Sequence, residues 1–143
     1  MTRKLNFLVA TILLFSFNSL AFQGQKLQEQ VDLTSKLTGH TEIKGNTKLK
    51  DRHAQESREI VADFLKTELS KFIDLVEIEN YSATGNNVVG TIMATTKTDE
   101  WVVLGAHYDS VKDCPGANDN ASGVALVYSV AKHIAGLNSR KYN

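Results

Sequence analysis

His107 and Asp109 stand at i and i+2, and ten residues beyond them Asp119 lies inside Pro115-Gly116-Ala117-Asn118-Asp119-Asn120-Ala121-Ser122-Gly123. In a strand, residues i and i+2 project from one side, so the imidazole and the carboxylate are expected to point together. A neutral imidazole so placed can ligate a divalent cation while the nearby carboxylate fixes its tautomer and orientation. The same spacing also serves a structural His–Asp hydrogen bond, and the pair alone does not choose between the two. Asp119 adds a third group. Pro115 and Gly116 turn the chain, which lets this carboxylate fold back beside His107, where its two oxygens can bridge two cations. Its competing role is a helix N-cap, for which aspartate is favoured.

Cys114 lies in the same loop and is the chain's one cysteine, so it has no intramolecular disulfide partner. Bystander, accessible thiol and metal ligand are all open to it. Bystander is preferred, because no second cysteine gives zinc-ligand spacing. Asp113 and Cys114 are close in sequence, but a site built from them would be improvised. His133 lies on the helix that follows Asp119, about 21 Å further along at ~1.5 Å per residue, out of reach if the helix is straight. His40 and His53 precede the sheet in polar contexts and read as surface histidines.

The elements that must hold these groups are a strand, a loop and a helix. Trp101 to Ala106 is continuously apolar and reads as a strand buried on both faces, as central strands of α/β proteins are. After the loop, Val124, Leu126, Val127, Val130, Ala131 and Ile134 mark the apolar side of a helix that Asn120 or Ser122 can cap and Gly136 can end. Reactive groups at the carboxyl end of a strand and the start of a helix occupy the place where open α/β sheets put their sites. Upstream, Ile60, Val61, Phe64, Leu65, Leu69, Phe72 and Ile73 recur at helical spacing and predict a helix over 53–72. A short helix is expected over 31–37, ending near Gly39, followed by a polar loop over 40–50. Strands are expected over 75–81 and 88–94, joined by Thr84-Gly85-Asn86-Asn87 as an antiparallel hairpin.

The 143 residues are 42% hydrophobic and 22% charged, which suits one globular domain. Thr2-Arg3-Lys4 followed by the largely apolar stretch Leu5 to Leu20, with small residues at Ser19 and Ala21, reads as a signal peptide over 1–21 cleaved before Phe22. A membrane anchor is the weaker reading, since the unbroken apolar run is shorter than the roughly 20 residues a span needs. The chain is therefore expected to be secreted or periplasmic, with no stable membrane anchor after cleavage. Cleavage removes Arg3 and Lys4 and no acidic residue, leaving a slightly acidic domain with no basic surplus to suggest a nucleic-acid partner.

The strings Gly105-Ala106-His107-Tyr108-Asp109-Ser110-Val111 and Cys114-Pro115-Gly116-Ala117-Asn118-Asp119-Asn120-Ala121-Ser122-Gly123-Val124 together resemble the co-catalytic zinc exopeptidases of the bacterial leucyl aminopeptidase type. Leu37-Thr38-Gly39, the 53–72 helix and Asn87-Val88-Val89 stand in the order that family shows, so the resemblance covers roughly residues 31–143. It implies an α/β fold, a mixed β-sheet flanked by helices in three α/β/α layers, with residues 22–143 as its N-terminal portion. It implies two zinc ions, with His107 a ligand of one, Asp119 bridging both and Asp109 bonded to the histidine, and a cis peptide at Asp119–Asn120. The implied activity is hydrolysis of N-terminal peptide bonds, with peptide as the substrate.

The family's pattern continues with a glutamate pair on a later strand, which supplies the general base and a ligand, and with a further acidic ligand and a histidine. No counterpart stands in this sequence. The expectation is thus a truncated, incomplete zinc site with little or no activity alone, on a fragment whose sheet edge is open and whose stability is marginal. Two rival readings are a non-catalytic metal- or peptide-binding protein that keeps a half-site, and a glutaminyl cyclotransferase-like relative using one zinc. Oligomeric state is left open.

Overall fold

A computed structural model of the chain describes residues 25–143; the signal peptide expected over 1–21 lies outside them. The first element, α1, is helical over 25–37, so the polar stretch before Val31 is part of the helix too. Leu33 and Leu37 are buried, as their i, i+4 spacing requires of a helix with one apolar face. The helix ends where Gly39 takes φ 70°, with its α-carbon so close to the Leu49 carbonyl that a Cβ would lie 1.7 Å from the oxygen. The loop that follows is polar, as expected, yet Ile43 and Leu49 drop from it into the core.

Helix α2 spans Gln55–Leu69, shorter at both ends than the periodicity predicts, and it buries Val61, Ala62, Phe64 and Leu65. Its C-terminal carbonyls are satisfied by a tight turn in which the Phe72 and Ile73 amides both donate to Leu69 O. Strands β1 (Leu75–Asn80) and β2 (Asn86–Thr91) form the expected antiparallel hairpin, with Leu75 opposite Thr91 and Asn80 opposite Asn86. Together the helices and this two-stranded sheet make a mixed α/β fold.

The predicted third strand is not formed. Residues 101–106 are without strand pairing, and the side chains read as buried are open: Trp101 is 58% exposed, Val102 65%, Val103 91% and Leu104 53%. An apolar run becomes a central strand only when strands lie along both edges and helices cover both faces. Among the described residues its main-chain partner is the C-terminal segment: Val102 N donates to Asn143 O (2.9 Å) and Asn143 N to Glu100 O (3.1 Å). That segment is held further by Thr95 N to Arg140 O (2.9 Å) and by Arg140 Nε to Met93 O (2.9 Å).

Helix α3, Ser122–Ala135, packs Val124, Ala125 and Tyr128 into the core beside Ala121, and Tyr128 meets Phe72 edge-on at 5.2 Å between ring centroids. The expected stripe is shifted by a residue or two: Leu126 is 57% exposed, and Tyr128 takes a core place that its hydroxyl hid from the sequence reading. Neither Asn120 nor Ser122 caps the helix through its side chain. A turn over Ala117–Ala121 feeds it instead, closed by Ala121 N to Gly116 O at 3.0 Å. Gly136 follows the helix in right-handed conformation, φ −79°, so its glycine freedom goes unused. No helix among the described residues is long and apolar enough to cross a membrane.

Candidate metal centre

The loop over 105–111 and the turn over 117–121 bring the three singled-out side chains together. His107 Nδ1 lies 3.1 Å from Asp109 Oδ1, and His107 Nε2 lies 3.0 Å from Asp119 Oδ1. His107 and Asp109 meet as their i, i+2 spacing predicts, even though no strand is formed there. Asp119 reaches His107 because the turn breaks helical geometry at Asp119 and Asn120, and the peptide between these two residues is cis, as the resemblance implies. All three side chains face solvent, at 54%, 58% and 84% exposure for His107, Asp109 and Asp119.

This arrangement gives the imidazole two different sides. If Asp109 accepts the Nδ1 proton, Nε2 presents its lone pair toward the Asp119 carboxylate, the division of labour usual for a metal-bound histidine. Nitrogen and carboxylate oxygen suit zinc. The donors are two, however: the described residues hold no group of three or more His, Cys, Asp or Glu side chains able to hold a metal. Cys114 is an exposed free thiol. The Asp113 carboxylate is drawn to Lys50 Nζ at 2.5 Å. His40 and His53 are exposed, and His133, also exposed, lies 3.5 Å from Lys26 Nζ on the far part of α3.

Sequence reading missed what holds the two loops in place. Arg52, in the polar stretch before α2, is fully buried, and its guanidinium donates to Tyr108 O (2.6 Å), Leu37 O (2.7 Å), Gly116 O (3.1 Å) and Pro115 O. Its amide donates to Ser110 Oγ (2.9 Å), and that hydroxyl donates to Cys114 O (2.9 Å). Burial lowers the pKa of Arg52, opposed by the carboxylates of Asp109, Asp119 and Asp51. Tyr108 is anchored at its other end, its hydroxyl donating to Asn86 O at 3.0 Å in β2. An arginine among polar residues carries no sign of burial; the signal would have been the loop's need for donors, since chain that turns inward leaves carbonyls to satisfy.

Residues 87–142 match the sequence profile of Peptidase family M28. Two curated proteins are similar over 58 residues. A probable zinc metalloprotease of Pyricularia oryzae is 41% identical, the match covering 35% of this chain and 12% of that protein. A probable zinc metalloprotease of Leptosphaeria maculans is 36% identical, covering 35% of this chain and 14% of that protein. The similarity thus spans a small part of each relative's length, and no solved structure matches. The profile match contains His107, Asp109 and Asp119, so the similarity to Peptidase family M28 falls on the stretch that builds this centre.

Proposed function

We propose that this chain carries the first part of the dinuclear zinc site of an exported aminopeptidase of the bacterial leucyl aminopeptidase type. The observation that carries the reading is the split use of the His107 ring, with Nδ1 on Asp109 and Nε2 beside the Asp119 carboxylate. His107 and Asp119 would be the residues of this chain that hold the zinc. Asp109 holds the imidazole in the tautomer that leaves Nε2 a lone pair. When bound, the pair of ions supplies Lewis-acid polarisation of the scissile carbonyl and a water acidified for attack. A catalytic zinc takes about three protein ligands, and proton transfer needs a base in hydrogen-bond reach. Residues 25–143 provide neither in full, so further ligands and a base would have to join this surface. The three-layer sandwich belongs to the same proposal, with residues 101–106 as its inner strand. The apolar leader supports export, to the periplasm or beyond, and peptide is the proposed substrate.

The test is calorimetry of the purified chain with zinc, alongside an assay with aminoacyl p-nitroanilides. Zinc binding should disappear in His107→Ala and Asp119→Ala, and turnover should not exceed the metal blank. Binding that survives both substitutions would sink the zinc assignment, and turnover well above the blank would sink the incompleteness. A second reading, a non-catalytic metal-binding protein, is favoured by the two-donor centre; submicromolar zinc affinity lost in His107→Ala, without turnover, would select it.

A further inference from the structure

Among the described residues, Arg52 is the one charged side chain shut fully away from solvent, and it sits behind the candidate metal centre. A guanidinium has five N–H groups in a rigid planar fork. Here the fork spans three separate pieces of chain. Nε bonds the carbonyl of Tyr108, the residue between His107 and Asp109. Nη1 and Nη2 bond the carbonyls of Pro115 and Gly116, where the turn that delivers Asp119 begins. Nη1 also bonds Leu37 O at the end of α1. Gly116 O serves twice, accepting from Ala121 N as well, so the arginine is tied into the hydrogen bond that closes the turn.

The direct link between the loops at the centre itself is weak by comparison. His107 and Asp119 are both more exposed than buried, and exposed pairs of this kind contribute little to holding a geometry. Their 3.0 Å approach therefore depends on what fixes the main chain beneath them. We propose that Arg52 is a positioning residue for the metal pair: by bonding the Tyr108 carbonyl on one loop and the Pro115 and Gly116 carbonyls on the other, it sets the approach of His107 Nε2 to Asp119 Oδ1 in advance of metal. This rests on the reading that His107 and Asp119 ligate zinc.

Arg52→Met removes charge and fork together, while Arg52→Lys keeps the charge and loses the planar fork. Val61→Ala, a fully buried change in α2, serves as a control for lost stability alone. Zinc affinity of the full chain is measured by competition with a chromophoric chelator, at a temperature where circular dichroism shows each variant folded. Arg52→Met should bind zinc at least tenfold more weakly than the parent, and Arg52→Lys should do the same, while Val61→Ala keeps the parent affinity whatever its melting temperature. If Arg52→Met does not fold, Arg52→Lys decides. Parent-like zinc affinity in a folded Arg52 variant, or an equal loss in Val61→Ala, overturns the positioning role and leaves the zinc reading standing. If the parent chain shows no zinc binding that His107→Ala abolishes, that reading falls and takes the proposal with it.

Discussion

Asp109 meets His107 Nδ1 at 3.1 Å, and because its side chain is largely exposed that contact can be weakened with little effect on the fold. An asparagine there still offers a carbonyl oxygen but no charge, so it polarises the imidazole less. Asp109→Asn is expected to lower zinc affinity by about 10- to 100-fold, the usual cost of losing such a partner, with an unchanged melting temperature; equal affinities in a chelator competition would refute the role. A different carboxylate, Asp51, makes a pH-dependent contribution to stability. The His53 amide, then the Asp113 amide, hold its pKa below the ordinary 3.8. A folded-state pKa below the unfolded one contributes stability above the unfolded value and loses it as pH falls through the folded value. The difference in melting temperature between the parent and Asp51→Asn should therefore be constant near neutrality and close progressively below about pH 4; a gap independent of pH would refute it. That His107, Asp109 and Asp119 come together was legible in the sequence, because the i, i+2 spacing and the Pro115-Gly116 turn are local features of the chain. Arg52 was not, because its partners are main-chain carbonyls, which every residue supplies and no sequence pattern marks.

Elements were legible to the extent that their partners lie nearby in the chain. The 3.6-residue spacing located α2, and the short turn signal located the β1–β2 hairpin, since each makes its pairings locally. Trp101 to Ala106 failed this condition: its composition describes a strand among neighbours, and the described residues place only the C-terminal segment beside it. The turn into α3 shows the opposite case, where one backbone position carries the geometry. Gly116 has φ 60°, and a Cβ on it would lie 2.5 Å from Asp119 O and 2.7 Å from Arg52 Nη2. Gly116→Ala should cost about 1–2 kcal/mol from the left-handed backbone alone, and more from the contacts, read as a lower urea midpoint. It should also weaken zinc binding, since the clash falls on the arginine and on the Asp119 main chain at once. A midpoint equal to the parent's would mean that the turn relaxes freely and does not hold Asp119 in place.

At the scale of the whole molecule, the core built by α1, α2 and α3 and the open run of Trp101 to Leu104 pull in different directions. Leu37, Val61, Ala121 and their neighbours are closed off from water, and burial of a large aliphatic side chain contributes roughly 1.5–3 kcal/mol. The run at 101–104 contributes little of this kind, and it presents apolar, extended chain to solvent, the surface on which other chains pair or collapse. Charge does little to keep copies apart near neutrality, because acidic and basic residues nearly balance with or without residues 1–21. Self-association of the chain is thus expected to depend on this run. Val103, at 91% exposure, separates the two contributions. Val103→Lys leaves the core intact, so its effect on stability should stay within about 0.5 kcal/mol, while the added charge opposes pairing along the edge. Light scattering at equal concentration should then show less association for the variant at an unchanged melting temperature. Association equal to the parent's would locate the sticky surface elsewhere, and a large drop in melting temperature would show that residues 101–104 pack more closely than their exposure indicates.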